Sequence, residues 1–479
     1  MSLVAPADPV PPAELGRVHL VGVGGAGMSG IARILLSRGL AVSGSDSASS
    51  PVLDQLAALG AEVHVGHAAG HLGAADTLVV SSAIRPDNPE LAEARRRGIR
   101  VLHRAAALAS VMLGSQGIAV AGTHGKTTTT SMITTVLRSC GADPSYMIGG
   151  VLAETGLGAG VGGGRDFVVE ADESDRSFLL LSPATAVVTS IEADHLDNYS
   201  SLGEIEAAFA ALAGRISAGG LLVTCADDAG ARRLALASTG LPLRQVSYGT
   251  APDADYLLSD VTARGMASRM RVTSRGPRAA RGAAVTELEI GVPGRHNAMN
   301  AAAAFATTVE LGYPASQVAR GLTAYQGASR RMEPKGTADG VRVLDSYAHH
   351  PTELSADLAA ARDLAEGGRV IAIFQPHLFS RTRIFAAGFG AALGGADVAV
   401  VLDVYAARED PEPGVTGRLV ADAVPAGRGQ FLADSGQLPA LIAGQAKPGD
   451  LVLTMGAGDI TSQGPLILAA LRERAGDGG

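Results

Sequence analysis

The chain is 479 residues long, and at about 150 residues per domain it has room for three domains. A formal net charge of −8 excludes a general nucleic-acid binder, whose affinity rests on a basic footprint. Two cysteines, Cys140 and Cys225, are too few for a disulfide framework and fit a reducing compartment.

In chain order, the N-terminal MSLVAPADPVPPAEL is acidic and proline-rich, where a signal peptide needs a basic start and an apolar run. Short Val- and Ile-rich runs then recur: RVHLVGV (17–23), TLVVSSA (77–83), GIAVAGT (117–123), DFVVEAD (166–172), AVVTSIE (186–192), RVIAIFQ (369–375), DVAVVLD (397–403) and DLVLTMG (450–456). Each is followed by a turn and an alanine- and leucine-rich stretch. That alternation predicts an α/β protein of three domains, each built on a mainly parallel sheet, with boundaries near residues 112 and 328. The expected domains are 1–112, 113–328 and 329–479. Residues 255–290 alternate as antiparallel strands do, and 156–164, with six glycines, is expected to be a flexible loop. The longest uncharged stretch, 105–123, is broken by Gly114, Ser115, Gln116 and Gly117, so no membrane span is expected and the protein is placed in the cytoplasm. Two arginine patches, at Arg95, Arg96, Arg97 and Arg100 and at Arg271, Arg275, Arg278 and Arg281, are expected to be a solvated helix end and a hairpin tip.

The 62 glycines are nearly twice the usual ~7%, and without a three-residue period they must serve turns and ligand loops. Gly22, Gly24 and Gly27 form G-x-G-x-x-G between a strand and a helix expected from Met28 to Ser37, and Asp46 ends the next strand. This is the pattern that sets a diphosphate on a helix N-terminus and a carboxylate on a ribose hydroxyl. On its own it fits a nicotinamide or flavin dinucleotide as well as another diphosphate ligand.

A second loop, GTHGKTTTT (122–130), follows the strand IAVA and opens a helix. Successive N–H groups there would wrap phosphates, Lys126 would neutralise the β and γ oxygens, and the Thr127 hydroxyl would bind Mg²⁺. Only three of the 39 basic residues are lysines, Lys126, Lys335 and Lys447, so a lysine behind Gly125 is no surface decoration. Glu170, Asp172, Glu173 and Asp175 follow one strand, and His195 lies between Asp194 and Asp197 after another. Both clusters sit where open α/β sheets hold ligands and cations, although capping or a solvated role would serve each acid equally well.

GVGGAGMSGIA, GTHGKTTTT, EADESDRSFL, IEADHLDNY, VPGRHNAMNAAAA, DSYAHHPTE, FQPHLFSRTR, LDVYAAREDP and LTMGAGDIT stand in that order over residues 17–460, and together they resemble the Mur ligase family. The resemblance implies a first domain that holds the UDP part of UDP-N-acetylmuramate, a middle domain that holds ATP and a third that brings in L-alanine. It implies an ATP-dependent amide ligase working through an acyl phosphate with Mg²⁺, two ions by expectation, and no obligatory protein partner. By the same resemblance the sugar nucleotide meets Gly22, Gly24, Gly25, Ala26, Gly27, Met28, Asp46, Ser81, Ser82 and His103. ATP meets Gly122, Thr123, His124, Gly125, Lys126, Thr127, Thr128, Asn297, Arg330 and Asp345. The metals fall to Thr127, Glu170, Glu173 and His195. Lys126, Glu170, His195 and Arg331 carry catalysis, and His349, His350, His377, Arg381 and Arg383 form the amino-acid region. Plain helix capping remains open for Asn297 and His349.

Two departures stand out. Ser346 occupies the second position of a motif expected as DDYAHHP, which removes one acid. No lysine lies between Lys126 and Lys335, which agrees with the alanine-adding branch and not with relatives that carry a carbamoylated lysine. A relative that joins a whole tripeptide to the same sugar nucleotide, and a nicotinamide dehydrogenase built on Gly22 to Asp46, are the alternative readings.

Overall fold

A computed structural model of the chain describes residues 9–194, 198–275, 284–407 and 409–477. Its strands form three sheets. The first has the order β3-β2-β1-β4-β5, with β1 (Val18–Val21), β2 (Val42–Asp46), β3 (Glu62–Val65), β4 (Thr77–Val80) and β5 (Arg100–His103). Every pair is parallel, and Val18 aligns with both Val42 and Thr77. VHLV is buried on all four residues because helices cover both faces.

The second sheet has ten strands in the order β15-β14-β13-β12-β11-β10-β6-β9-β7-β8. They are β6 (Gln116–Ala121), β7 (Ser145–Leu152), β8 (Leu157–Gly160), β9 (Asp166–Glu170), β10 (Thr185–Val188), β11 (Leu221–Cys225), β12 (Arg244–Gly249), β13 (Tyr256–Arg264), β14 (Ala267–Ser274) and β15 (Ala284–Ile290). Its centre is parallel, and the β7–β8 pair is antiparallel. The third sheet, β16-β17-β21-β18-β19-β20, comprises β16 (Glu333–Ala338), β17 (Val341–Ser346), β18 (Val370–Phe374), β19 (Val398–Leu402), β20 (Gly429–Leu432) and β21 (Leu451–Met455). Only its β16–β17 edge pair is antiparallel. All eight apolar runs named above are strands of these sheets.

By its internal contacts the chain forms two compact units, residues 1–259, 271–288 and 299–325 in one and 260–270, 289–298 and 326–479 in the other. In the first, the helix Ala26–Ser37 lies against the second sheet, where a Cβ on Gly30 would stand 3.1 Å from Ala159 and 3.3 Å from Met147. The second has apolar cores on both faces of its sheet, around Phe374 and Phe389 on one side and around Ile373 and Ile442 on the other.

Local chemistry sets the element ends. The helix Pro89–Arg97 has proline in its first turn and Asn88 as N-cap, accepting from the N–H groups of Glu90 and Leu91, and it stops at left-handed Gly98. Arg95, Arg96 and Arg97 fill its last turn, as expected of a helix end.

The stretch 156–164 differs from the flexible loop expected. Residues Leu157–Gly160 are strand β8, and of the following glycines Gly162 and Gly164 are squeezed against backbone. A Cβ on Gly162 would stand 2.0 Å from the Asp143 carbonyl, and one on Gly164 2.0 Å from that of Ala142. Glycine serves close approach there. Arg278 and Arg281, expected at a hairpin tip, lie outside the described residues, as do His195 and Asp197.

Candidate active site

Strand β6 delivers the chain into the loop 122–125, and the helix Lys126–Ser139 leaves it. Gly122 and Gly125 have φ of 129° and 80°. A Cβ would meet Thr189 Oγ1 at 2.2 Å from Gly122, and Asn300 Oδ1 at 2.4 Å from Gly125. No other residue fits these positions without moving the walls. The loop is fastened by Thr123 N donating to Ser190 O (2.9 Å), His124 N donating to Ser190 Oγ (3.1 Å) and Thr123 Oγ1 accepting from Glu192 N (2.8 Å). Thr128 is buried in the first turn of the helix.

Lys126 Nζ donates to Gly122 O (2.6 Å), Thr123 O (3.2 Å) and Glu173 Oε1 (2.8 Å). Burial works against its charge, but Glu173, Asp172 and Glu170 prevail and hold the ammonium above its ordinary pKa. Thr127 Oγ1 donates to Glu170 Oε1 at 3.0 Å, and Glu170 Oε2 accepts from Gly149 N at 2.7 Å. A hydroxyl and a strand-terminal carboxylate are hard oxygen donors beside the glycine loop, the donor set that suits Mg²⁺. Glu173 is buried, and its carbonyl accepts from Tyr199.

The sugar-nucleotide candidates gather at the carboxyl ends of β1, β2, β4 and β5 in the same unit. Gly22, Gly24, Gly25, Ala26, Gly27 and Met28 form the turn and first helical residues after β1. Gly24 N donates to Asp46 Oδ2 at 2.9 Å, so the acid closes the loop. Ser81 and Ser82 follow β4, and His103 ends β5 while capping the helix Arg104–Met112.

Sequence reasoning missed the link between the two loops. Arg104 Nη2 is 3.4 Å from Asp172 Oδ2, and its Nη1 lies 2.8 Å from where a Gly27 Cβ would be. Ser82 Oγ donates to Asp175 Oδ2 at 3.1 Å, and His103 Nε2 is 3.6 Å from the same oxygen. Burial opposes the Asp172 charge, yet Arg104, Lys126 and the N–H of Ser174 bring its carboxyl below the usual range. Burial lowers the His103 pKa, against the pull of Asp175. The acids after β9 therefore face both loops. The signal available was that EADESD carries more acids than one cation needs.

The other unit holds the remaining candidates. Arg330, at φ 59°, gives its guanidinium to Asp345 (3.2 Å) and to the carbonyls of Gly458 (3.1 Å) and Gly456 (2.5 Å). Asp345 also accepts from Thr454 (2.6 Å) and Thr461 (2.7 Å), so these two ATP candidates hold each other. Arg331 lies over the Tyr347 ring, 5.4 Å from its centroid. Asn297 stands inside the helix Arg295–Glu310 with Nδ2 donating to Pro293 O (2.7 Å), so it is not the acceptor of an N-cap. Of the neighbouring pair it is His350 that caps a helix, accepting from Thr352 N, and His349 N donates to Glu353. His377 stacks on Tyr405, Arg381 is buried in the first turn of the helix Phe379–Leu393, and Arg383 pairs with Glu412 at 3.0 Å. His195 is outside the described residues.

Family models match three consecutive stretches: Mur ligase family, catalytic domain, over 17–116; Mur ligase middle domain over 120–308; and Mur ligase, glutamate ligase domain, over 330–458. A UDP-N-acetylmuramate--L-alanine ligase from Thermobifida fusca is 54% identical across 98% of this chain and 100% of its own length. One from Kineococcus radiotolerans is 54% identical across 96% and 98%. The crystal structure of a UDP-N-acetylmuramate-alanine ligase from Thermotoga maritima superposes with a TM-score of 0.79 at 29% identity, covering 97% of this chain and 100% of that one.

Proposed function

This chain belongs to the Mur ligase family, and from that premise we propose that it joins L-alanine to the lactyl carboxylate of UDP-N-acetylmuramate, with ATP converted to ADP and phosphate in peptidoglycan precursor synthesis. The observation that carries the reading is the pair of loops in one unit, with Lys126, Thr127, Glu170 and Glu173 around the phosphate loop and Arg104–Asp172 and Ser82–Asp175 joining it to the diphosphate loop. A nicotinamide reading leaves that phosphate loop without a task. Residues 1–112 take the sugar nucleotide, 113–328 take ATP and 329–479 take the amino acid. ATP and UDP-sugar substrates and two free cysteines support a cytoplasmic setting. Among the described residues no helix is long and apolar enough to cross a membrane.

A carboxylate does not acylate an amine directly, because oxide is a poor leaving group. A lactyl oxygen attacks the γ-phosphorus of ATP, the bond to ADP breaks, and the acyl phosphate forms. The alanine amine then attacks the acyl carbon, phosphate departs with its oxygen, and the amine gives up a proton. The Lys126 ammonium, turned from Glu173 to the β and γ oxygens, neutralises the transferring group, and Arg331 is the candidate for a second cation. Thr127 and Glu170 would hold Mg²⁺, whose charge offsets the repulsion between two anions; Glu173 and His195 are proposed for a second ion. Phosphate release is measured with UDP-N-acetylmuramate and, separately, L-alanine, glycine, L-serine and a tripeptide. L-Alanine gives the fastest turnover. Release without the sugar nucleotide, or only with the tripeptide, refutes the assignment.

A further inference from the structure

Ser346 stands where the resemblance led to the expectation of a second aspartate, and an acid of the next helix, Asp357, faces it. Ser346 is buried at the end of β17; its Oγ donates to Asp357 Oδ2 and accepts from Ala348 N at 3.0 Å. Asp357 is carried by the helix Pro351–Ala365 and is only 8% exposed. Its Oδ1 faces His296 Nε2 at 3.5 Å. His296 belongs to the segment 289–298, which is part of the same compact unit, and immediately precedes Asn297. One carboxylate therefore touches both the turn that leads to His349 and His350 and the segment that carries Asn297.

Burial pushes the Asp357 carboxyl up, against His296 and the Ser346 hydroxyl, and burial pushes the His296 imidazole down, against Asp357. Arg331 and Glu353 are the other charged groups that act on both. A carboxylate this buried is tolerated only with its partners in place. The serine is the right complement: an aspartate at 346 would set two carboxylates in contact, and the hydroxyl lets one acid serve both the strand end and the helix.

We propose that Asp357 is a positioning residue for L-alanine addition: through Ser346 it fixes the turn carrying His349 and His350, and through His296 it fixes the segment carrying Asn297. The proposal rests on the ligase reading given above. The test uses the full-length enzyme and steady-state kinetics, varying L-alanine, ATP and UDP-N-acetylmuramate in turn, for the parent, Asp357→Asn, Ser346→Asp and the exchange Ser346→Asp/Asp357→Ser. Turnover by the parent that needs both sugar nucleotide and L-alanine establishes the reading; its absence refutes that reading independently of Asp357.

Given parent turnover, Asp357→Asn raises KM for L-alanine about tenfold, the usual consequence of losing one charged hydrogen bond, while KM for UDP-N-acetylmuramate stays within about twofold. Ser346→Asp alone is also impaired, and the exchange returns KM for L-alanine to within about threefold of the parent. Unchanged KM for L-alanine in Asp357→Asn overturns the proposal. So does an equal loss for all three substrates, or an exchange variant no better than the worse single one. Should Asp357→Asn fail to fold, the exchange variant decides alone.

Discussion

Lys126 spends all three ammonium protons on Gly122 O, Thr123 O and Glu173 Oε1. Its charge is thus held at the mouth of the loop, and on the proposed reading phosphate oxygens need only replace Glu173. We expect Lys126→Ala to lower turnover about 100- to 1000-fold, as removal of a preorganised transition-state donor does. Equilibrium dialysis with UDP-N-acetylmuramate should show binding nearly intact, because that ligand's candidate residues are on another loop; loss of both with the fold preserved contradicts separate sites. Glu90 tells a different story at the same scale. It is fully buried, accepts from Ser45 at 2.7 Å, and faces His67 at 3.1 Å, His71 at 3.3 Å and His19 at 3.7 Å. Burial opposes its charge, but the nearby His19, the Ser45 hydroxyl bond and the field of His67 bring its carboxyl from 4.5 to about 2. A carboxyl depressed by folding contributes stability above its unfolded pKa and loses it as the pH falls toward the folded value. Glu90→Gln should therefore cost about 3 kcal/mol at pH 7, with the gap to the parent narrowing below pH 4.5 and closing near pH 2. Urea midpoints at pH 7 and pH 3 check this; an equal gap at both excludes an ionic origin.

Strands buried on both faces announce themselves as apolar runs, which is why VHLV, IAVA and LVLTM and the turns after them are legible in the sequence. Close backbone approach writes no such pattern. The six glycines of 156–164 look like slack in a string of letters, yet β8 and the turn beyond it are packed on β7 and on residues 142–144. Spacing likewise could not disclose Arg104 against Asp172, since 68 residues separate them; nor could it show that Ser346 is answered by Asp357 from the next helix. Chemistry carried by one loop is readable, and chemistry assembled from two elements waits for the fold. The glycine stretch supplies its own control. Gly163 has only an ordinary 3.5 Å neighbour, whereas a Cβ on Gly164 would stand 2.0 Å from the Ala142 carbonyl. Gly163→Ala should leave the thermal midpoint nearly unchanged, and Gly164→Ala should lose roughly 1–3 kcal/mol by overpacking. Equal midpoints for the two would restore the flexible loop.

Each compact unit has its own sheet-centred cores, and the candidate ligands divide unequally between them. Every residue proposed for the sugar nucleotide, 22, 24–28, 46, 81, 82 and 103, and the candidate phosphate loop 122–128 belong to the first unit. The amino-acid candidates His349, His350, His377, Arg381 and Arg383 belong to the second. A ligand that binds only the folded form of one unit stabilises that unit by RT ln(1 + [L]/Kd), about 2.7 kcal/mol at a hundred times Kd. Amide hydrogen exchange resolves where such stabilisation falls, because buried strands exchange through openings of the unit that contains them. With UDP-N-acetylmuramate near a hundred times its Kd, and no ATP or alanine, amides of β1, β4, β6 and β9 should exchange up to ~100-fold more slowly. Those of β18 and β21, in the other unit, should be unchanged. Both sets slowing alike would mean that this ligand alone couples the two units or is held by both, and the assignment of the sugar nucleotide to the first unit would fall. Slowing confined to β18 and β21 would place it on the residues now given to the amino acid.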